Sequence, residues 1–487
     1  MFHIEGGEVK HKGEKLLESS YEKKNDVIIN ESTLSKEKTP VNIAFVTLVS
    51  IIVALGGLMF GYDTAVISGA IGFLDERFNL SPSMSGWVVS SILVGAVIGT
   101  ALGGVLSDGL GRKKTLILSG ILFGIGTIGT AIPSSLAILV TARILGGIGV
   151  GMSVFLSPLY IAEIAPAHLR GRLGSMSQLA ISIGQSLVFI INYYIAEGGS
   201  YEWNVEYGWR WMFAIGAIPA AVYAFLMLFV TDTPRWLASK GKKEEALSVL
   251  NKINKDVNIS QRELKEIENS LNANTSANFK EIFKGKNKRP LFIGIVIAFM
   301  TQWAGINAIM YYAPEIFKQS GASLGSSFLN TVFMGIVIVL FTLLGLWLMD
   351  KAGRRKLFLI GSIGMALALF MIGLTFNLDI NSGTWLLIYM LFYLAIFMTT
   401  VGPGMWVLLS EIFPTRIRGQ AMAISTISLW IGDYLISHSF PVFLREFGGD
   451  LTFWFFALGS LLMFAFTYKF IPETRNKTLE QIESIFN

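Results

Sequence analysis

The sequence predicts an all-α membrane protein with twelve transmembrane helices in two pseudo-symmetric bundles of six. Hydrophobic residues make up 52% of the 487 residues and charged residues only 15%, whereas soluble domains carry roughly 25% charged residues. Apolar stretches of spanning length recur from Ile43 to Phe470, separated by short polar loops. Twelve spans of about 20 residues would occupy about half of the chain, which agrees with this excess of hydrophobic residues.

Two sets of six apolar stretches give the predicted spans. Each stretch is long enough to cross a hydrocarbon core of about 30 Å as a helix. The first set covers 44–70, 86–106, 115–132, 136–158, 174–196 and 209–230. The second set covers 291–317, 327–349, 357–377, 384–410, 420–444 and 451–470.

Polar segments divide the chain into five parts. Residues 1–43 have mixed charge and lack the short apolar core of a secretory signal, so we expect a mostly disordered cytoplasmic tail. Residues 231–290 are too polar to span and form a linker, in which amphipathic patterns predict short helices at Lys243–Ile253 and Gln261–Leu271. The complete division is 1–43, 44–230, 231–290, 291–471 and 472–487.

Lysine and arginine concentrate on one side of the predicted membrane. The loops after the second, fourth, eighth and tenth spans, the linker and both tails carry most of them, whereas the opposite side has only Arg77, Arg210, Lys318 and Arg445. Cytoplasmic loops carry the excess of positive charge, so both termini are predicted to be cytoplasmic. This orientation requires an even number of spans and describes a multi-pass protein of the cell membrane.

The two halves repeat three short motifs in the same order, about half a chain apart. A single match of this kind arises readily by chance, but three matches in register indicate an internal repeat. Repeated helical bundles with a site near the membrane midplane are typical of transporters. The paired segments are Asp108–Lys113 with Asp350–Arg355, Glu163–Gly171 with Glu411–Gly419, and Thr231–Thr233 with Pro472–Thr474.

Seven strings of residues carry a more specific pattern. They are Gly56–Asp63, Ile67–Gly69, Gly146–Gly151 after Arg143, Pro158–Glu163, Thr233–Leu237, Gly402–Trp406 and Pro472–Arg475. Together they resemble the sugar porters, a branch of the major facilitator superfamily, over residues 44–483. The resemblance implies two six-helix bundles that alternate in access around a shared site. It also implies transport of a pentose, a hexose or a cyclic polyol, without a cofactor.

Asp63 and Arg143 are ionisable residues inside the first and fourth predicted spans. A charge in the hydrocarbon core costs at least about 2.5–3.5 kcal/mol, so such residues are normally paired or face a cavity. One interpretation is a fixed ion pair, and the other is a switch in which movement of Arg143 changes the proton affinity of Asp63. The resemblance favours the switch, because proton-coupled sugar porters have Asp here and facilitative ones typically have Asn. We therefore predict proton symport, with a facilitative uniporter as the alternative.

Amide side chains are the candidate sugar ligands. Gln178 and Gln185 lie seven residues apart and share one face of the fifth span, while Gln302, Asn307 and Tyr311 lie in the seventh. An amide donates and accepts hydrogen bonds at once, which suits a ring of hydroxyl groups. Hydrogen bonding between helices is the alternative, because polar residues in spans also provide it. The resemblance implies sugar binding at all five positions.

Aromatic residues are expected against the apolar C–H faces of a sugar. The resemblance places Phe60, Phe397, Trp406 and Trp430 at pocket-lining positions, although most aromatic residues of a membrane protein serve packing or anchor it at the interface. Gly402, followed by a proline, precedes Trp406 in the tenth span. Glycine and proline weaken a helix, which predicts either a gating bend or a static kink.

Four positions depart from the sugar porter pattern. Ile338 and Leu429 replace pocket amides, and Thr301 replaces the first of two adjacent glutamines. Asp433 stands where the family usually has Asn. We predict that Asp433 binds substrate, with a second proton site or a hydrogen bond to a neighbouring helix as alternatives. These exchanges leave the identity of the sugar open.

Acidic and basic residues recur at matched spacing at the cytoplasmic ends of both halves. The resemblance implies salt-bridge networks that link helices while the carrier is open outward. Exposed pairs contribute only about 0–1 kcal/mol each, which suits a latch that opens in every cycle; solvated loop charges are the alternative. The residues are Asp108, Arg112, Glu163, Arg170, Asp350, Arg354, Glu411 and Arg418.

Other function classes find less support in the sequence. The chain has no cysteine and four histidines, without a metal-ligand cluster or a phosphate-binding loop, and its basic residues are spread over loops rather than over a nucleic-acid surface. Gly146–Gly151 lies inside a span, which indicates helix packing rather than a nucleotide site. We expect a monomer in a lipid bilayer that is not an enzyme. A carrier-fold nutrient sensor remains the alternative from another class, although such sensors usually carry long signalling extensions.

Overall fold

The computed structural model describes residues 41–166, 168–273, 279–378, 383–414 and 417–475, together with 481 and 486. In this part of the chain the regular structure is helical, and the only β-type pairing is an isolated bridge between Val41 and Asn254. The predicted all-α fold is therefore confirmed. The predicted amino-terminal tail lies outside the described residues up to residue 40, as does most of the predicted tail 472–487.

Eleven helices among the described residues are long and apolar enough to cross a membrane. The last of them, Arg418–Phe470, has 53 residues, which corresponds to about 80 Å, more than twice the thickness of a hydrocarbon core. Gly448 interrupts it with φ 80° and ψ 170°, a conformation open to glycine because it has no Cβ. This element therefore supplies the eleventh and twelfth spans, and the predicted number of twelve is confirmed.

Five of the six spans of the first half are longer than predicted, and the fifth has the predicted length. The first was expected to end at residue 70, but its helix continues through Asp75 and Arg77, because a helix can leave the hydrocarbon core and persist among polar residues. A short helix, Arg170–Gly174, precedes the fifth span, and a π-helical turn, Asn204–Gly208, lies within the sixth. The six spans are Ile43–Phe78, Pro82–Leu110, Arg112–Ala131, Leu136–Ile164, Met176–Gly198 and Tyr201–Met227.

Two spans of the second half are broken. The seventh breaks at Gly305, which has φ 83°, and the tenth breaks at Thr400. A short helix, Ala313–Gln319, follows the seventh span. The spans before the shared last helix are Lys288–Trp303 with Ile306–Tyr311, Leu324–Ala352, Arg354–Asn377, and Gly383–Thr399 with Val401–Ile412.

Close helix contacts in the first half depend on glycine. A Cβ atom on Gly61 would lie 2.1 Å from the carbonyl oxygen of Ile181, and one on Gly147 would lie 2.0 Å from that of Ile92. Small residues allow helix backbones to approach this closely in a membrane. The glycine-rich run Gly146–Gly151 is thus a packing surface, as predicted.

The two halves meet along two pairs of spans, the second with the eleventh and the fifth with the eighth. Ser182 and Thr342 share a hydrogen bond of 2.8 Å between the fifth and eighth spans. A Cβ on Gly86 of the second span would lie 2.0 Å from the carbonyl oxygen of His438 on the eleventh. The first and seventh spans also meet, and both carry candidate site residues.

The linker between the halves contains three helices, Pro234–Ser239, Lys243–Ile253 and Val257–Ala273. The N–H of Asn42 donates to the carbonyl of Ile253 at 2.7 Å. The linker is thereby joined to the start of the first span and packs with the first half.

Candidate functional site

Asp63 and Arg143 face each other inside the first half. Arg143 Nη2 lies 3.6 Å from Asp63 Oδ2, and only 1% of the arginine side chain and 11% of the aspartate side chain are exposed. The guanidinium also lies 5.7 Å from the centre of the Phe213 ring. The structure therefore brings the two ionisable residues together, as the sequence predicts.

Arg143 is held mainly by the second span. Its Nε donates to the carbonyl of Val88 at 2.8 Å, and its Nη2 donates to that of Val89 at 3.1 Å. Its Nη1 is buried without a hydrogen-bond partner among the described residues. Because the bonds to the carbonyls are shorter than the contact with Asp63, Arg143 is anchored independently of the carboxyl group. Asp63 and Arg143 are thus held by different helices, so movement of the first span relative to the second and fourth would change their separation.

The break in the seventh span brings two amides together. Gln302 and Asn307 lie on either side of Gly305, and Asn307 Nδ2 donates to Gln302 Oε1 at 2.9 Å. In a straight helix, five residues would turn the two side chains about 140° apart. The local sequence around Gly305 therefore creates a paired-amide site that a regular helix would not have.

Asp433 of the eleventh span completes this polar cluster. Its Oδ2 accepts from Asn307 Nδ2 at 2.7 Å and from the Tyr311 hydroxyl at 3.3 Å, and its Oδ1 accepts from Ser437 Oγ at 2.8 Å. Asp433 is fully buried, whereas Asn307 is partly exposed. Of the three side chains that donate to this carboxyl group, Tyr311 and Ser437 are buried and Asn307 is partly exposed.

The two glutamines of the fifth span make no hydrogen bond to this cluster within the described part of the chain. Gln178 is partly exposed. Gln185 is only 5% exposed, and its Oε1 is buried without a hydrogen-bond partner in the described part of the chain. A buried polar atom without a partner costs about 1–3 kcal/mol. A ligand hydroxyl that donates to Gln185 would remove this cost.

The predicted aromatic residues form two groups. Phe60 and Trp430 pack edge to face, with ring centres 5.2 Å apart, and belong to different halves. Trp430 Nε1 also donates to Thr100 Oγ1 at 3.1 Å, so one buried indole links the eleventh span to the first and second. Phe397 and Trp406 lie on either side of the break in the tenth span, Phe397 buried and Trp406 partly exposed.

The tenth span bends close to the predicted weak point. Pro403 has no N–H, so the carbonyl of Thr399 loses its normal helical partner, and the helix breaks at Thr400. A Cβ on Gly402 would lie 3.1 Å from the Phe397 ring. The glycine therefore lets this ring pack against the bend.

Arg112 is the centre of a network at one end of the first half. Its Nε and Nη2 donate to the two carboxylate oxygens of Glu163, both at 3.2 Å, and its Nη1 donates to Asp108 at 3.1 Å. The Arg112 and Glu163 side chains are 11% and 8% exposed, whereas Asp108 is exposed. The network joins the second, third and fourth spans.

The second half repeats part of this arrangement. Arg354 Nη2 donates to Glu411 Oε1 at 2.8 Å, and the side chain of Asp350 lies outside the described part of the structure. Arg170 is exposed, and the structure gives it no ion pair with another described residue, while Arg418 donates to a nearby backbone carbonyl at 3.3 Å. The ion pairs from Arg112 and Arg354 thus link helices within each half.

Sequence reasoning missed a threonine in each network. Thr233 Oγ1 donates to Glu163 Oε2 at 2.5 Å, and Thr474 Oγ1 donates to Glu411 Oε2 at 2.6 Å. Each threonine follows the last span of its half. The third repeated motif was the signal for both residues, but a repeat does not show what its members contact.

The acidic residue before each threonine caps a helix. Asp232 Oδ1 accepts from the Lys113 N–H at 2.9 Å, and Glu473 Oε1 accepts from the Arg354 N–H at 3.1 Å. Negative groups are favoured at helix amino termini. Burial raises the pKa of the Asp232 carboxyl above its ordinary value, against the opposing effect of these backbone N–H groups and of the nearby positive charges.

Comparison with known proteins identifies relatives over nearly the whole chain. The sequence profile of the sugar (and other) transporter family matches residues 49–486. The arabinose–proton symporter of Bacillus subtilis (strain 168) is 43% identical over 445 residues, which cover 91% of this chain and 96% of that protein. The D-xylose–proton symporter of Escherichia coli (strain K12) is 39% identical over 480 residues, which cover 92% and 97%.

A solved structure agrees with this relationship. The partially occluded, inward-open xylose transporter from E. coli matches with a TM-score of 0.81 and 38% identity, over 89% of this chain and all of that chain (100%). The spans, the paired networks and the matched residues therefore lead to one conclusion: the chain belongs to the sugar (and other) transporter family, within the sugar porters of the major facilitator superfamily.

Proposed function

We propose that the protein imports a monosaccharide by proton symport with alternating access, and that the first candidates are the pentoses L-arabinose and D-xylose. The relatives at 43% and 39% identity are named as proton symporters of arabinose and D-xylose. The observation that carries the proposal of coupling is the buried Asp63, whose partner Arg143 is anchored on backbone carbonyls. Movement of the first span relative to this anchored arginine changes the proton affinity of Asp63 and so couples proton exchange to transport.

The sugar is bound at the junction of the halves by amides and aromatic faces. The unpartnered oxygen of Gln185 supports a role as acceptor, and the partly exposed amide of Asn307 supports a second polar contact. The site comprises Phe60, Gln178, Gln185, Gln302, Asn307, Tyr311, Phe397, Gly402, Trp406, Trp430 and Asp433. Contacts to both halves would make the affinity for sugar depend on their relative position, as alternating access requires.

The networks around Arg112 and Arg354 lie at the cytoplasmic end and keep each half rigid while the halves rock. Arg170 and Arg418 join them in a conformation other than the one described here. Both termini are cytoplasmic, and the protein acts as a monomer in the cell membrane. The concentration of lysine and arginine in the loops at this end supports the orientation.

Uptake into proteoliposomes tests the proposal. Labelled D-xylose, L-arabinose, D-glucose, D-galactose and myo-inositol are supplied with and without an inward proton gradient. Accumulation of one sugar above the external concentration, only with the gradient, is the expected result. Equal and non-concentrative uptake in both conditions would replace symport by facilitated diffusion. Uptake of none of the five would overturn the proposed function.

A further inference from the structure

We propose that Asp433 sets the hydrogen-bond polarity of the sugar site, so that Asn307 presents only its carbonyl oxygen and selects a sugar hydroxyl that donates. The inference rests on the proposed function and concerns the substrate of that same site. Asp433 is fully buried, and among the three side chains that donate to it Asn307 is the partly exposed one. Asp433 is therefore a positioning residue that acts through Asn307.

The orientation of Asn307 follows from the chemistry of its partners. An amide has two N–H donors on its nitrogen and one carbonyl acceptor, whereas a carboxylate only accepts. Asn307 Nδ2 donates to Asp433 Oδ2 at 2.7 Å and to Gln302 Oε1 at 2.9 Å. Both of its N–H groups are thus used, and its Oδ1 is the group left for a ligand.

The orientation of Asn307 also fixes the orientation of the Gln302 amide. Its Oε1 faces Asn307, so its Nε2 points in the other direction and is left as a donor. Two adjacent amides of the seventh span thus offer opposite groups. If an amide or an apolar group replaced the carboxyl of Asp433, the pair could reverse, because each amide can serve either as donor or as acceptor.

Two further contacts keep the carboxyl group in place. Ser437 Oγ donates to Oδ1 of Asp433 at 2.8 Å, and the Tyr311 hydroxyl donates to Oδ2 at 3.3 Å. These donors come from the eleventh and seventh spans and act on different oxygens. Oδ2 is therefore held toward Asn307, which excludes the reversed arrangement of the amides.

Deoxy and deoxyfluoro sugars distinguish a donor requirement from an acceptor requirement. A hydroxyl both donates and accepts, a C–F group can only accept, and a C–H group does neither. The probes are the 2-, 3- and 4-deoxy and the matching deoxyfluoro derivatives of D-xylose and L-arabinose. They compete with the labelled parent sugar in counterflow, and the inhibition constant of each is measured for the wild type and the variants.

In the wild type, the deoxy and deoxyfluoro derivatives at one ring carbon should both bind about tenfold more weakly than the parent sugar. This carbon carries the hydroxyl that donates to Asn307. In Asp433→Asn and Asp433→Leu the amides can reverse, so that Asn307 presents an N–H donor. The deoxyfluoro derivative at this carbon, which can accept, should then bind at least about threefold more tightly than the deoxy derivative. Ser439→Ala in the same span is the matched control, since the Ser439 hydroxyl donates to backbone carbonyls of its own helix and not to Asp433, so this variant should keep the wild-type pattern.

Two results would overturn the inference while leaving sugar transport established. One is that, in the wild type, the deoxy and deoxyfluoro derivatives lose affinity to different extents at every ring carbon. The other is an unchanged pattern in both Asp433 variants. Asp433→Asn has nearly the shape of the native side chain, so it preserves the test if Asp433→Leu does not insert or fold. If the wild type transports none of the five sugars, the proposed function fails first and the inference fails with it; if it transports one of the other three, the deoxy and deoxyfluoro derivatives of that sugar are the probes.

Discussion

Glu163→Gln should destabilise the protein by about 2–3 kcal/mol. Glu163 accepts two hydrogen bonds from Arg112 and one from Thr233, and glutamine would turn an NH₂ group toward one of these donors. Charge-assisted hydrogen bonds contribute about 1.5–3 kcal/mol, and removal of one partner of a buried ion pair costs about 3–5 kcal/mol. The expected cost falls within the first of these two ranges, because Arg112 keeps its contact with Asp108.

The second half provides the matched comparison. Arg354 makes one side-chain bond to Glu411, at 2.8 Å, and these side chains are 13% and 23% exposed. Solvent screens a more exposed pair more strongly, and Glu411 holds its arginine by one hydrogen bond where Glu163 holds Arg112 by two. Glu411→Gln should therefore cost about 1–2 kcal/mol, less than the change in the first half.

Reversible unfolding in mixed detergent micelles, followed by tryptophan fluorescence, measures both costs. Double-mutant cycles with Arg112→Gln and Arg354→Gln isolate the coupling energy of each pair. A coupling below about 0.5 kcal/mol for Arg112 with Glu163, or equal couplings in the two halves, would refute the reasoning from burial and two-bond geometry.

Three further predictions concern transport and conformation. Asp63→Asn should abolish accumulation driven by a proton gradient but retain counterflow in proteoliposomes; a variant that still accumulates sugar would leave Asp63 without a coupling role. Gly61→Ala should reduce uptake at least about tenfold, because the added Cβ forces the first and fifth spans apart. Gly104→Ala, whose Cβ would meet nothing nearer than 3.9 Å, should transport normally, and an equal loss of uptake in both variants would argue against the close contact at Gly61. Thr100→Val removes the acceptor for Trp430 and should lower about fivefold the population of the conformation in which the two residues are bonded. Distances between labelled cysteines introduced into this cysteine-free chain measure that population, and an unchanged distance distribution would show that the bond does not bias the conformational equilibrium.

Much of the fold was predictable because a hydrocarbon solvent imposes a simple pattern. Spans are long apolar stretches, and Asp63 and Arg143 stood out because charges within such stretches are rare. Helix ends were harder to predict. The first helix continues to Phe78, because hydropathy reports the edge of the membrane and not the last hydrogen-bonded turn.

The details of the candidate site depend on backbone geometry, which has a weak sequence signal. Arg143 donates its shortest hydrogen bonds to backbone carbonyls of the second span. Because every residue has a carbonyl, the sequence does not mark these acceptors. Gln302 and Asn307 meet only because Gly305 breaks the helix, and a single glycine in a span more often serves packing. The sequence identified Asp433 as unusual, but its burial and its hydrogen bond with Asn307 required the structure.

The helix caps formed by Asp232 and Glu473 close each half on itself. In each half, the residues that follow the last span return to a helix in the middle of the same half. A chain interrupted between Ala273 and Phe279 should therefore give two fragments that each keep their own fold and reassociate when produced together. On this view, the covalent connection chiefly ensures that the two halves are made in equal amounts and at a high effective concentration. The carrier is then, in physical terms, a dimer whose subunits are encoded in tandem.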